Sequence, residues 1–561
     1  MSSNQYDQAF KMLGLEPQEY FVKFALPLTL AFVVAGLILY IFVGRLLGGF
    51  SFIFLTLPLF GLLVALIYPK VIVDKKRVEI NQNLHLFITH AGTLSTADME
   101  RKGLFRIIGE KEEYQELSRQ AKLITKLVQD WRMSLPEACK FQAARCPSKI
   151  FSDFLERFAY NVDAGQEVED FLVGEQAVIM SEFETMYVNA LKDVDIFKEL
   201  FLSMILSIAF AVVFAIILPA ITGMSPTILV ISTVFLFAIV EVAFLYAMYS
   251  RIPNDPLWGK FDAKTSSEKR IDKWIYISIG AILVLSAIIL LSYFKIAFAF
   301  INQLPLIMRF TIPLTPLLLP GIISRKVESE IKGRDKQFPS FIRSLGAAES
   351  AKQTTTTHAL RTLQHKDFGE LTNLVRNLYK RLNLRISQER SWEMFIKEAE
   401  SFLIHKFSTM YYDSRLKGGV PDKLGKIIAK NVEKIHSLRT HRNQTSTTLV
   451  GVLYGITASL SFSLYVGIMV VNMMAESMSS ISLETDLSVS SVVTLTQYNI
   501  GEVSFLMVLI LLIHALLSSV MIKIVDGGHQ VNAYFHFVNM MWISAMCAYA
   551  VEVGMGSFIN I

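Results

Sequence analysis

Lys423, Lys426, Lys430 and Lys434 recur at spacings of three, four and four, which sets four ammonium groups on one face of a helix. Arg439 and Arg442 follow on the same run, which then enters an apolar stretch. Such a face can lie against anionic lipid, at about 1 kcal/mol per charge near the surface, or receive an acidic cytoplasmic protein. The spacing alone leaves both open. A second cluster, Lys380, Arg381, Arg385 and Arg390, lies far from any apolar run in sequence and favours protein docking. Nucleic acid is not expected as a partner, because aromatic residues are not interleaved with these cations as a stacking platform requires.

Three further ionisable groups stand inside apolar runs: Glu241, His514 and His536. At membrane depth such groups cost a few kcal/mol and face a bundle interior or a cavity. They could line a proton or substrate path. Scattered as they are, they predict instead an interhelical hydrogen bond, with Ser518 or Ser519 beside His514. No catalytic constellation is expected. The nearest approach to a phosphate loop, Gly419–Lys426, has the wrong spacing and lacks the hydroxyl residue, and neither a zinc-binding H-E-x-x-H helix nor a G-x-S-x-G elbow occurs. Cys139, Cys146 and Cys547 suggest neither a disulfide framework nor a metal site. The sequence predicts a non-enzyme with no cofactor and no metal.

The elements that position these residues follow from hydropathy. Of 561 residues, 52% are hydrophobic and 18% charged, against about 25% charged in a soluble globular chain. Runs near 20 apolar residues read as spanning helices at 25–43, 49–68, 200–222, 227–249, 274–293, 304–323, 447–472, 502–523 and 530–551. The polar start, with Asp7, Glu16 and Glu19, does not read as a cleavable signal peptide. The predicted fold class is an all-α polytopic membrane protein of about nine transmembrane helices with two repeated cytoplasmic helical-bundle modules.

In order, the segments are a cytoplasmic start (1–24), a spanning pair (25–68), a first module (69–199), a spanning pair (200–249), a linker (250–273), a spanning pair (274–323), a second, basic module (324–446), three spanning helices (447–551) with an external loop at 473–499, and an external end (552–561). The linker is rich in Lys and Arg, whereas 473–499 has none and holds Glu476, Glu484 and Asp486; this places the modules on the cytoplasmic side. Arg45, Lys295 and Arg309 run against that rule, and such side chains near helix ends can snorkel to the interface.

The modules read as duplicates. Shifted by 254 positions, Leu84 meets Phe338, Phe87 meets Phe341, Gly92 meets Gly346, Tyr114 meets Phe368, Phe141 meets Phe395, Phe158 meets Tyr412 and Gly165 meets Gly419; Phe151 and Phe154 need a one-residue slip to reach Ile404 and Phe407. In the first copy Leu117, Ala121, Ile124, Val128 and Trp131 form a stripe that buries one helix face. Charge separates the copies. Residues 70–198 carry 18 Lys and Arg against 21 Asp and Glu, a net −3, and 325–442 carry 24 against 13, a net +11.

The segments Asn83–Gly92 (NLHLFITHAG), Gln337–Gly346 (QFPSFIRSLG) and Phe154–Gly165 (FLERFAYNVDAG), between apolar spans, resemble the GspF/TadC superfamily of platform proteins from type II secretion systems and type IV pili. The doubled modules and the opening Leu13–Pro27 (LGLEPQEYFVKFALP) are most similar to its archaeal branch, the archaellum platform (FlaJ/ArlJ) family. The resemblance implies a homodimeric scaffold in the cell membrane, docked on a hexameric secretion or motor ATPase. It also implies pilin-like (archaellin) subunits, other motor-complex proteins and membrane lipids as partners. It assigns no catalytic residues. A platform of an archaeal adhesion pilus or secretion system is the alternative; a secondary transporter with parallel repeats is the more distant one.

Overall fold

The computed structural model describes residues 10, 17–42, 57–97, 101–222, 226–294, 299–353, 355–484 and 500–559. Residues 43–56, where the second predicted span begins and Arg45 falls, lie outside the described residues, as do Lys295 and most of the predicted external loop, 485–499. The chain is all-α. Its helices are α1 (Leu26–Phe42), α2 (Leu57–Ser95), α3 (Arg101–Gly109), α4 (Glu116–Gln129), α5 (Leu135–Ala143), α6 (Lys149–Asp163), α7 (Val168–Thr222), α8 (Pro226–Arg251) and α9 (Ser266–Tyr293). They continue with α10 (Leu306–Leu314), α11 (Leu318–Lys352), α12 (Thr356–Leu363), α13 (Thr372–Asn383), α14 (Gln388–Ala399), α15 (Phe402–Leu416), α16 (Pro421–Glu484), α17 (Ile500–Asp526) and α18 (Asn532–Ile559).

Among the described residues, seven helical stretches are long and apolar enough to cross a membrane. They overlap the predicted spans from the third to the ninth, with ends that differ by a few residues. The first two predicted spans correspond to the 17-residue α1 and the apolar start of α2. These pack closely: Tyr20 donates to the Ala65 carbonyl at 2.7 Å, Phe24 stacks on Tyr68 at 4.4 Å, and a Cβ on Gly61 would come within 2.8 Å of Phe32. Phe235 and Leu283 stand 69% and 67% exposed on α8 and α9, an apolar surface that lipid would cover.

Two compact units divide the chain: residues 1–183 with 410–428, and residues 184–409 with 429–561. In the first, helices α2–α6 close around aromatic rings. Phe87 meets Tyr114 edge-on at 5.7 Å and Phe151 at 5.8 Å, geometries favoured by ring quadrupoles. In the second, the apolar cores of α7, α8, α16, α17 and α18 interleave Phe237, Leu453, Leu511 and Met541. A smaller cluster joins Leu257 and Trp258, between α8 and α9, to Val327 and Ile331 of α11.

The duplication persists in side-chain geometry. Phe341 meets Phe368 edge-on at 5.6 Å and 84°, where Phe87 and Tyr114 meet at 5.7 Å and 85°; both partners lie 254 positions apart. The register then slips at one turn. After α4 the chain runs through Asp130 and Trp131 before Arg132 takes a positive φ of 53°; after α13 only Leu384 precedes Arg385, at 60°. From there equivalent residues are 253 apart. Ser134 and Ser387 cap α5 and α14, and Gly165 and Gly418 close α6 and α15 at φ 75° and 90°, a left-handed closure that favours glycine.

Four expectations change. Phe395 is fully buried while Phe141 is 39% exposed, so Gln142, not Phe141, is the counterpart of Phe395. Gly165 pairs with Gly418 rather than Gly419, and Phe158 with the buried Tyr411 rather than Tyr412. Trp131 lies past the end of α4 and is 75% exposed, so it leaves the buried stripe. The sequence also predicts no separate helices at α3, α5 and α12, three short segments of which α5 opens on a capping box formed by Ser134 and Glu137.

Cys139 and Cys146 pack inside the first bundle at 0% and 5% exposure, and burial pushes each thiol up to about 12. A thiol held neutral and out of solvent does not alkylate. The folded chain at pH 8 is expected to leave both unmodified by maleimide and to modify them after denaturation. Prompt native labelling at Cys139 would contradict this packing.

Candidate functional site

Four elements carry the predicted cations: α13 with Lys380 and Arg381, the turn after it with Arg385, α14 with Arg390, and α16 with the others. Along α16, Lys423 pairs with Glu169 of α7 at 2.5 Å, Lys426 with Asp422 one turn back at 2.6 Å, and Lys434 with Glu184 of α7 at 2.7 Å. Lys430 is exposed and makes no ion pair among the described residues. The lysine stripe is real, but three of its four charges already have intramolecular partners.

Arg439 and Arg442 turn inward. The Arg439 guanidinium donates to Asp255 at 2.8 and 2.5 Å, to Asp335 at 2.9 Å and to the Pro256 carbonyl at 2.8 Å. Asp255 and Asp335 are 8% and 2% exposed on their side chains. Arg442 donates to the carbonyls of Val525 at 2.6 Å, Ile524 at 3.0 Å and Asp255 at 3.2 Å, so it also satisfies the orphan carbonyls that end α17. Two cations and two carboxylates leave the node formally neutral, which is what allows charge to be buried here. Tyr187 of α7 donates to Asp255 at 3.3 Å. Neither arginine is presented to a partner.

The repeat explains how this node was built. In the first module the Ser148 hydroxyl donates to Asn81 at 2.5 Å and accepts the Phe151 N–H at 3.2 Å, capping α6. In the second, Ser401 donates to Asp335 and accepts the Ile404 N–H at 3.2 Å, capping α15. Asn81 and Asp335 are equivalent residues, 254 apart. Exchanging amide for carboxylate keeps the cap bond and adds a charge, which Arg439 neutralises. Asp255 and Asp335 escape a motif search; the Asn-to-Asp difference at a matched position was the available signal.

The second cluster behaves differently. Arg381 is paired with Glu398, whereas Lys380, Arg385 and Arg390 are exposed and make no ion pair among the described residues. Between them Leu384 is 74% exposed. The turn holds them there: Arg385 sits in the left-handed region, and the Arg390 N–H is capped by Ser387 at 3.4 Å. The result is a tip with a bare leucine among free cations.

In the membrane bundle, α8 and α17 bring Glu241 and His514 together across 273 positions. His514 Nδ1 lies 2.6 Å from Glu241 Oε1 and 3.4 Å from the Ser518 hydroxyl, and Nε2 lies 3.1 Å from Thr457 of α16. Glu241, His514 and Thr457 are fully buried, making a polar joint between three spans. The expected Ser518 contact is present, and the stronger partners are Glu241 and Thr457. His536 stands apart, bonded to Tyr454 at 2.8 Å.

Removing one member of a buried charge cluster leaves its partners uncompensated, at about 3–5 kcal/mol, whereas an exposed lysine contributes within about 0.5 kcal/mol. Arg439→Gln is therefore expected to lower the unfolding midpoint of the purified chain markedly, and Lys430→Gln to leave it in place. Equal midpoints for the two variants would show that the node carries no stability.

Comparison with known proteins agrees with this architecture. Residues 87–225 match the family model for type II secretion system (T2SS) protein F, a stretch holding most of the first bundle and the span that follows. Flagella accessory protein J of Methanococcus voltae is 36% identical over 553 residues, covering 98% of both chains. The protein of the same name from Methanocaldococcus jannaschii is 33% identical over 543 residues, covering 96% of both. No solved structure matches. With the helical repeat, the membrane-spanning helices and full-length similarity all in agreement, the chain belongs to the flagella accessory protein J family of T2SS-F-type membrane platform proteins.

Proposed function

We propose that this chain is the membrane platform of an archaellum, with both modules cytoplasmic. It couples a hexameric secretion-type ATPase to the insertion of pilin-like subunits into the filament, and transmits rotation. The observation that carries the ATPase contact is the tip of the second module. Lys380, Arg385 and Arg390 are free of intramolecular ion pairs among the described residues, and Leu384 stands exposed between them. A central apolar anchor ringed by charge is the composition of an interaction surface, and the charges select an acidic partner and speed its encounter. Lys430 is the cation of the α16 stripe that remains available for the same purpose. Lys423, Lys426 and Lys434 reach a partner only by exchanging their present carboxylates, and Arg439 and Arg442 serve the fold.

The cytoplasmic placement is supported by the Lys- and Arg-rich linker between α8 and α9. The first module lacks a comparable set of cations. Its equivalent tip carries Trp131 and Arg132, with Glu137 where the second has Arg390, so its partner differs.

The test uses the full chain in lipid nanodiscs and the ATPase. Lys380→Glu with Arg385→Glu and Arg390→Glu is expected to weaken binding at low salt by about tenfold or more, and to flatten its salt dependence. Arg439→Gln at the buried node is not the informative change, since it acts on the fold. Unchanged affinity for the triple variant would overturn docking at this tip.

A further inference from the structure

A cavity of about 420 Å³ opens where α11, α16, α17 and α18 converge, a volume within the range of ligand sites, roughly 300–1,000 Å³. Its walls come from the points where four apolar runs end: Arg325 and Lys332 on α11, Ser446 on α16, Lys523 on α17, and Asn532 and His536 on α18. That is the depth at which lipid headgroups lie beside spanning helices.

Its charges are not balanced internally. Glu328 is committed to the fold: its carboxylate accepts from Trp258 Nε1 at 3.0 Å, from the His529 N–H and from Asn532 Nδ2. Asp526 faces Lys332 at 3.7 Å. Arg325 and Lys523 make no ion pair among the described residues. Arg325 is stacked on Phe535, its guanidinium carbon 4.3 Å from the ring centroid. Stacking fixes the plane and leaves the N–H edge free for two-pronged contact with a phosphate. His536 is fixed in the wall by its bond to Tyr454. Asn532 is 6% exposed, and its Oδ1 finds no donor; a buried acceptor of this kind calls for a hydroxyl or another donor. Apolar Val450, Ile522 and Phe535 complete the wall.

We infer that this cavity binds the phosphodiester headgroup of an anionic, hydroxyl-bearing lipid. The phosphate meets Arg325 and Lys523, and a headgroup hydroxyl donates to Asn532. Apolar wall and headgroup depth favour a lipid over a dissolved phosphate. The site is independent of ATPase docking, since none of its residues belongs to the α13–α14 tip. Bound there, the lipid ties the ends of α11, α17 and α18 together, and basic pockets between spanning helices hold anionic headgroups in this way.

The test reconstitutes the full chain in zwitterionic phosphatidylcholine nanodiscs and titrates in phosphatidylglycerol. Melting temperature is read, along with lipid retained on gentle transfer to the gas phase. Saturable stabilisation by phosphatidylglycerol is expected, and Arg325→Gln with Lys523→Gln should weaken retention roughly 25-fold, about fivefold for each charge removed. Lys326→Gln, beside the cavity but outside its wall, should leave retention unchanged. Equal retention by the unaltered chain and the double variant overturns the proposal. So does an equal shift with inorganic phosphate in detergent, which would make this a solute site. If the double variant does not fold, the unaltered chain still decides: the same response to both lipids contradicts the inference.

Discussion

Burying Arg439 is the constraint around which the second unit is organised. A guanidinium removed from water is costly unless carboxylates and carbonyls surround it, and here they come from distant parts of the chain. Asp255 lies between α8 and α9, Asp335 in α11 and the arginine in α16. Arg442, one turn further along, closes the end of α17. Four segments that neither periodicity nor propensity would bring together are fixed by two arginines and their partners. The segment before α9 is held to the same place by Trp258 on Glu328 and by backbone bonds, Gly259 N–H to Glu400 and Phe402 N–H to Leu257. The bundle that carries the α13–α14 tip is joined by charge to helices long and apolar enough to cross a membrane.

The two modules show how duplication supplies such a joint. Both start a helix with a serine N-cap whose hydroxyl donates to the first helix of the module. In the first copy the acceptor is the neutral Asn81; in the second it is Asp335. The carboxylate makes the cap bond into a charge site, and the position of Arg439 follows from it. The copies also differ at their tips, Trp131 with Arg132 against Leu384 with Arg385, with an extra residue in the first. One bundle plan thus carries an aromatic tip in the first copy and a basic tip in the second.

Much of this was legible in the sequence. Apolar runs near 20 residues gave the spans, and the recurrence of Phe87 and Phe341 gave the repeat, because burial of large rings constrains both sequence and geometry. The one-residue slip was misplaced. Phe141 and Phe395 are identical residues with opposite burial, and only the helix caps at Ser134 and Ser387 reveal that the register had already shifted. The basic face was legible as a face but not as a set of roles. A lysine facing solvent and an arginine facing two carboxylates follow one another along the same helix on opposite faces, and the acids that hold the arginine lie 184 and 104 positions away. Glu241 and His514 were found as ionisable groups in apolar runs, while their pairing rests on the packing of α8 against α17.

Helix α16 passes from module to span without interruption, clamped at Arg439 and Arg442. Hydrogen–deuterium exchange of the full chain in nanodiscs across residues 429–450 measures this directly. Continuous slow exchange through the junction, matching the slow exchange of the span beyond it, is the predicted result. Fast exchange at 436–446 between two protected flanks would place a hinge there and contradict it.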